Sequence, residues 1–445
     1  MPVGAPAGTV VVCPGRRPAD PQGGFQVPSV VPGPMPPATL PAGHWVTTWG
    51  AAQQRCEPAD LPPRLSERDD RVCVDSTLRQ TVHVTIGGQR LRLRLSNTFG
   101  AVALPVAAVS VALPLHGRAG VGAIRPGSSR PVTFSGRPGV TVPAGAQIVA
   151  DPLDLAVPAG ANVTVTVYLA EGQRADGLTT HPGSRTTSYL LAGNHVDDLD
   201  LPAAATTDHW YLLSGLEVWA DPGAAAVVLL GDSLTDGYGS TTNHNDRWPD
   251  LLFERLRADP ATADVAIVNQ ATGGNRVLND GLGPSALARL DRDVLAVSGV
   301  TWLLVFEGVN DIGTAEATEP AQKEVVDSLI MAFDQIVTRA GTHGLRVYGA
   351  TLPPFGGHTG YDDGCGLRER ARQAVNHWIR TSGRFDEVVD FDAATRDPQR
   401  PGQLRSSVDG GDHLHLNLVG LRALADAVPL RLFHPRSLPA GGCHR

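Results

Sequence analysis

Residues 224–237 read AAAVVLLGDSLTDG. The apolar run 224–230 has the length and β-branched content of a buried strand, and the polar, glycine-flanked residues after it mark a tight turn. A serine on a turn at the carboxyl end of a parallel strand is placed where an α/β fold presents a nucleophile. Read outward from this stretch, strands and helices alternate. Strand patterns fall at 265–269, 301–306, 346–350 and 387–391, and helical patterns at 248–257, 319–340, 367–381 and 419–427. That alternation predicts a parallel sheet with helices on both faces.

Before residue 222 the pattern changes. Short alternating stretches are separated by proline and glycine. TVHVTI at 81–86, Gly87-Gly88 and LRLRL at 91–95 read as a hairpin. Further strand patterns lie at 106–113, 131–134, 147–150 and 162–169, and 211–219 reads as a strand returning to the domain edge. Many short strands without a long helical pattern predict an all-β sandwich of jelly-roll type. The expected organisation is a disordered Pro/Gly-rich tail (1–43), a β-sandwich accessory domain (44–222), an α/β catalytic domain (223–434) and a C-terminal tail (435–445). The first tail holds 11 of the 36 prolines, a composition that cannot bury a core.

A chain of 445 residues suits two domains. The net charge of -8 argues against nucleic acid as a partner, because phosphate binding needs a basic face. No apolar run reaches the ~18 residues of a membrane span. A clear signal peptide is missing: the apolar run at 9–12 is short, and Arg16 and Arg17 lie on its wrong side. The expectation is a cytoplasmic protein, or a secreted one if the true start differs. Oligomeric state is left open. The five cysteines lack metal-ligand spacing, and Cys56 and Cys73 suit a pair only if the protein is exported.

Four segments past the strand ends carry candidate chemistry: Gly231-Asp232-Ser233, NQATGGN at 269–275, Gly308-Val309-Asn310-Asp311 and DGGDHLHLN at 409–417. Acyl transfer needs a hydroxyl, a base near neutrality and a carboxylate to orient that base. Ser233, His415 and Asp412 supply them, with Asp412 and His415 close enough in sequence to share one loop. The tetrahedral intermediate needs donors aimed at its oxygen. The N–H of Ser233, the N–H of a glycine and the amide of Asn310 are three such donors. Each string has a plainer reading alone: GDS as a strand-to-helix turn capped by Asp232, Gly273-Gly274 as a loop pair, Asn310-Asp311 as a helix-capping or turn pair. Their arrival in order at one sheet edge is what favours the catalytic reading.

These segments resemble the four sequence blocks of the SGNH hydrolases, also called GDSL esterases, over roughly 223–432. The resemblance implies a flavodoxin-like three-layer α/β/α fold, Ser233 as nucleophile, Gly274 and Asn310 in the oxyanion hole, Asp412 and His415 as the remaining pair, and no metal or organic cofactor. HWVTTWGAA at 44–52 resembles the opening of a bacterial esterase subset with an N-terminal β-domain, some of them arylesterases or xylan-associated esterases. One departure is Leu416, where the family usually has proline; leucine predicts a looser loop.

Lesser candidates have two readings each. His413 is a rival base or a rim histidine. Asp236 orders the serine turn or is solvated. Asp311 holds its loop, Glu307 is a structural carboxylate, and Arg276 contacts substrate or solvent. Trp302 reads as core. His358 and Tyr361 line the cleft or belong to an exposed flexible loop, with the loop reading preferred. Trp45 and Trp49 share one face if their segment is a regular strand, and core packing is their expected fate. The function expected is hydrolysis of short-chain acyl, aryl or acetylated-sugar esters through an acyl-enzyme. The alternatives are an acyltransferase using the same intermediate and a non-catalytic carbohydrate-binding protein.

Overall fold

A computed structural model of the chain describes residues 42–64 and 70–434. The expected tails, from residue 41 back and from 435 on, lie outside the described residues, as do Cys13 and Cys443.

Alternating apolar residues make the first half antiparallel. Its main strands are β1 (His44–Gly50), β2 (Ser76–His83), β3 (Gly88–Ser96), β4 (Ala108–Ala112), β5 (Asn162–Leu169), β6 (Ser188–Ala192) and β7 (Leu213–Ala220). One sheet holds β1, β7 and β3 side by side; another holds β6, β2, β5 and β4. Leu91, Leu93 and Leu95 of β3 are buried, as are Val163, Val165 and Val167 of β5, and all six join one hydrophobic cluster.

Three expectations fail here. The hairpin at 81–95 does not form, because β2 and β3 belong to different sheets. Thr48 Oγ1 accepts from Thr85 N (3.0 Å) and Ile86 N (2.9 Å) and donates to Ile86 O (2.7 Å), so groups that a hairpin ladder would use instead carry the chain across. A Cβ on Gly87 would lie 2.5 Å from Val157 O, so that glycine serves the crossing. The strand expected at 211–219 breaks at Leu212 (φ 63°), and β7 lies between β1 and β3, inside its sheet. Trp45 and Trp49 do not share a face: β1 bulges between Thr47 and Trp49, which reverses the side-chain alternation. Trp49 is buried against Trp210, whereas Trp45 is half-buried between Trp219 and the Arg92 guanidinium.

The second half is the α/β part. Its strands are β8 (Ala225–Gly231), β9 (Val265–Ala271), β10 (Val300–Phe306), β11 (Arg346–Ala350) and β12 (Glu387–Val389), all parallel, in the order β9-β8-β10-β11-β12. Val227, Val228, Leu229 and Leu230 of β8 are fully buried, as expected of a strand covered on both faces. The helices are α1 (Ser233–Asp236), α2 (Trp248–Ala258), α3 (Ala286–Leu290), α4 (Val309–Thr314), α5 (Glu319–Thr342), α6 (Leu367–Thr381), α7 (Phe391–Thr395) and α8 (Leu418–Ala427). α2 packs on α8 and α5 packs on α6, the two pairs forming the outer layers of a three-layer α/β/α fold. None of the described helices is long and apolar enough to cross a membrane.

All described residues fall in one compact unit. The change of architecture near 222 is therefore no gap in packing. Ile267 N, on the open edge of β9, donates to Thr85 Oγ1 (3.1 Å), and Thr47 N donates to Ser298 O (2.9 Å). The antiparallel half thus covers an edge that would otherwise be an unpaired strand.

Candidate active site

β8 delivers the chain to Gly231, where any side chain would collide: a Cβ would sit 2.6 Å from Thr235 Oγ1 and 3.0 Å from Phe306 O. Asp232 caps α1 by accepting from Leu234 N (3.0 Å), and Gly237 ends the helix at φ 105°, a conformation suited to glycine. Ser233 is the first residue of this one-turn helix, so its N–H has no partner within it.

Ser233 Oγ lies 2.8 Å from His415 Nε2. His415 Nδ1 lies 2.6 Å from Asp412 Oδ2, and Asp412 Oδ1 accepts from His415 N (2.8 Å) and Leu414 N (3.0 Å). Because Asp412 is an acceptor, Nδ1 carries the proton and the Nε2 lone pair faces the serine. Partial burial pushes the Asp412 carboxyl up, but the His415 ring and the two backbone N–H groups outweigh it and hold it down at about 2. Burial pushes His415 below the ordinary imidazole range; Asp412 pulls the other way, and the charges of His358 and Arg185 add to the lowering. The phenol ring of Tyr238 lies over the imidazole, with centroids 4.0 Å apart.

The loop expected to be loose is pinned. Leu416 is fully buried, Gly410 N donates to His415 O (2.8 Å), and Asn417 bonds Val408 O through its N–H (3.0 Å) and Asp409 O through its side chain (2.9 Å). His413 is exposed and turns to Asp409 Oδ2 (2.6 Å), away from the role of rival base.

The glycine loop after β9 is fixed from several sides. Gly273 N donates to Asp236 Oδ2 (3.0 Å), while Val277 N and Leu278 N donate to the Asp311 carboxylate (2.8 and 3.0 Å). Asn275 Oδ1 accepts from the buried Arg289 (2.9 and 3.0 Å). Gly274 has φ 70°, and among the described residues its N–H makes no hydrogen bond. Asn310, at the start of α4, donates from Nδ2 to Asn275 O (2.8 Å) and accepts at Oδ1 from Tyr361 OH (2.7 Å). Those two contacts decide which end of the amide is nitrogen and leave one N–H for a ligand. Ser233, His415 and Asp412 are thus in direct contact, and Gly274 and Asn310 are joined to them through the loop that Asp236 and Asp311 hold.

Tyr361 and His358 lie half-buried in a turn and are not exposed. His358 Nδ1 accepts from Tyr361 N (3.1 Å) and Gly360 N (3.2 Å), and Tyr361 orients Asn310. Arg276 folds back on Asp280 O, Trp302 packs edge-on against Phe433 in the core, and Cys56 and Cys73 are buried free thiols, each pushed up to about 12 by burial. Asp236 is buried, not solvated, and bonds His181 of the antiparallel half (2.9 Å). Sequence carried no signal for that link or for Tyr238, because both join segments that no motif connects.

Residues 229–423 match the GDSL-like Lipase/Acylhydrolase family. Solved structures similar to this chain include a protein of the G-D-S-L family from Desulfitobacterium hafniense DCB-2, described as lipolytic (18% identity over 46% of this chain and 97% of that one, TM-score 0.34). An acetylxylan esterase from Geobacillus stearothermophilus is 20% identical over 46% of this chain and 91% of its own, with a TM-score of 0.34. A structure from Bacteroides fragilis NCTC 9343, described as an acylhydrolase, is 17% identical over 46% of this chain and 86% of that one, again at 0.34.

Proposed function

We propose that this carboxylic ester hydrolase, whose GDSL-like lipase/acylhydrolase domain spans residues 229–423, works through an acyl-enzyme on Ser233. The observation that carries the reading is the line Ser233 Oγ, His415, Asp412, with steps of 2.8 and 2.6 Å. His415, neutral and oriented by Asp412, takes the serine proton as Oγ attacks the ester carbonyl. The developing oxyanion meets the N–H groups of Ser233 and Gly274 and the free N–H of Asn310. His415 returns the proton to the leaving alcohol. It then deprotonates a water that attacks the acyl group and frees Ser233.

The substrates we infer are short-chain acyl, aryl or acetylated-sugar esters. Tyr238, 48% exposed beside His415, offers an exposed ring edge against which an aryl or sugar leaving group can pack. We also read the antiparallel half as a two-sheet sandwich of jelly-roll type, accessory to the α/β domain. A panel of acetylated sugars, aryl esters and longer acyl esters tests the function, with Ser233→Ala as control. Turnover confined to small esters and absent in Ser233→Ala is the expected result; turnover that survives in purified Ser233→Ala refutes the nucleophile.

A further inference from the structure

The antiparallel half reaches the candidate site at three places. His181 Nε2 lies 2.9 Å from Asp236 Oδ1, and Asp236 Oδ2 accepts from Gly273 N (3.0 Å). Thr272 Oγ1, in the same loop, donates to Gln54 Oε1 (2.8 Å). The Arg185 guanidinium lies over the Tyr238 ring (5.3 Å), and Tyr238 covers His415 (4.0 Å).

His181 is itself held hard. Its Nδ1 faces Ala52 O at 2.8 Å, and its ring stacks on Trp210 with centroids 5.7 Å apart. Both His181 and Asp236 are buried. The segment around them is clamped from the α/β side: Arg247 donates to Asp236 O (3.0 Å) and to Ser184 O, and Asn243 N donates to Arg185 O (2.9 Å). Gly183 is packed so tightly that a Cβ there would fall 1.9 Å from Asp236 Oδ2.

From this geometry we propose that His181 is a positioning residue for the oxyanion loop, acting through Asp236 on Gly273, and that the antiparallel half completes the catalytic apparatus. One side chain of the accessory half fixes one oxygen of Asp236. The other oxygen of that carboxylate then fixes the backbone one residue before Gly274. A carboxylate anchored at one end only would let Gly273 and Gly274 drift, and a displacement of about 1 Å at such a donor can cost about 100-fold in rate. The proposal rests on the assignment of Ser233 and Gly274 under Proposed function.

The test compares the full-length wild type with His181→Ala, His181→Gln, Asp236→Ala, His181→Ala/Asp236→Ala and Gly183→Ala on an aryl acetate, each normalised to sites titrated by a fluorophosphonate, and with Ser233→Ala normalised to protein concentration. His181→Ala is expected to lower kcat about 10- to 100-fold with KM changed less than about twofold, the split that marks lost transition-state stabilisation. His181→Gln, which keeps a donor toward Asp236, recovers to within about fivefold of wild type. The double variant is no slower than Asp236→Ala, because the two residues act in series. Gly183→Ala deletes no group but displaces the carboxylate, so it also lowers kcat, which keeps the test decisive if His181→Ala misfolds. A kcat per titrated site within twofold of wild type in both His181→Ala and Gly183→Ala overturns the proposal, as does additivity in the double variant. Those results leave the nucleophile assignment standing if Ser233→Ala is inactive; an active Ser233→Ala removes that assignment and this proposal with it.

Discussion

One buried glutamate in each half of the molecule shows two ways of holding charge, Glu217 on the antiparallel side and Glu307 on the α/β side. In the antiparallel half, Arg79 is fully buried yet donates to Thr166 Oγ1 (2.9 Å), Gly122 O (2.7 Å) and Asp198 O (2.7 Å). Glu217 there is buried between Arg92 and Arg94 and accepts from Ser298 Oγ (2.8 Å). In the α/β half, Glu307 follows β10 with both carboxyl oxygens buried and without a hydrogen bond, its nearest cation being Arg289 at 3.7 Å. Burial drives its carboxyl well above the ordinary range, and drives Asp232 to about 7 and Asp311 to about 6. Satisfied charge holds walls together. The unsatisfied carboxylate, Glu307, lies at the carboxyl rim of the parallel sheet, three residues before Asn310, beside backbone-bonded Asp232 and Asp311.

If that contrast is right, exchanges of buried charge away from the catalytic groups separate stability from activity. The largest contrast pairs His415→Ala with Arg79→Met. His415→Ala is expected to lower kcat at least about 10⁴-fold with little change in unfolding midpoint. Arg79→Met costs about 3 kcal/mol of stability, measured by urea unfolding, because four acceptors, His195 O (3.3 Å) among them, lose their donor, while kcat per folded molecule holds. Next, Asn310→Ala lowers kcat by about 100- to 1000-fold, and Tyr361→Phe by less, since it frees the amide without removing it. A kcat for Asn310→Ala near wild type would place the oxyanion donors elsewhere.

The pH profile sharpens the contrast further. His415 must be neutral to act, and burial holds its pKa below the ordinary value of about 6.5. Activity therefore rises with pH, with its half-maximum on the acid side of about 6.5. Tyr238→Ala, which opens the ring to water, moves that limb toward higher pH in a profile of kcat/KM. The smallest effects belong to the glutamates. Glu217→Gln is expected to destabilise by about 2 kcal/mol, whereas Glu307→Gln is neutral or stabilising by about 1 kcal/mol. Their pH dependences oppose each other. The Glu217 pKa, raised by burial but lowered on balance by Arg94 and Arg92, gives stability present above the ordinary carboxyl range and lost as pH falls. The raised Glu307 favours the fold at low pH and costs stability as pH rises through its folded value, so Glu307→Gln gains most in alkali.

Much of the parallel half was legible because a strand covered on both faces announces itself as an apolar run. Arg346–Ala350 and Leu367–Thr381 match their expected bounds, and the others shift by a residue or two. Strand 387–391 ends early because Asp390 caps a helical turn at Phe391–Thr395. The short helices α1, α3 and α4 left no periodic signal, being too brief for a period of 3.6 to repeat, and only the Asp232 cap and the Asn310-Asp311 pair hinted at α1 and α4. In the antiparallel half, alternation marks a strand but not its partner, and so β2 and β3 read as a hairpin they do not make. The serine, histidine and aspartate were found because each sits in a compact motif. His181, Tyr238 and Tyr361 were missed or undervalued because their roles exist only across loops that meet in space.

The most direct measurement is covalent. The intact chain is treated with a fluorophosphonate and the adduct located by peptide mass spectrometry, with Ser233→Ala and His415→Ala in parallel. One adduct per chain on Ser233, absent from Ser233→Ala and formed at least about 1000-fold more slowly in His415→Ala, is the predicted result. An adduct on another residue, or labelling of Ser233 that proceeds at the same rate without His415, contradicts the account.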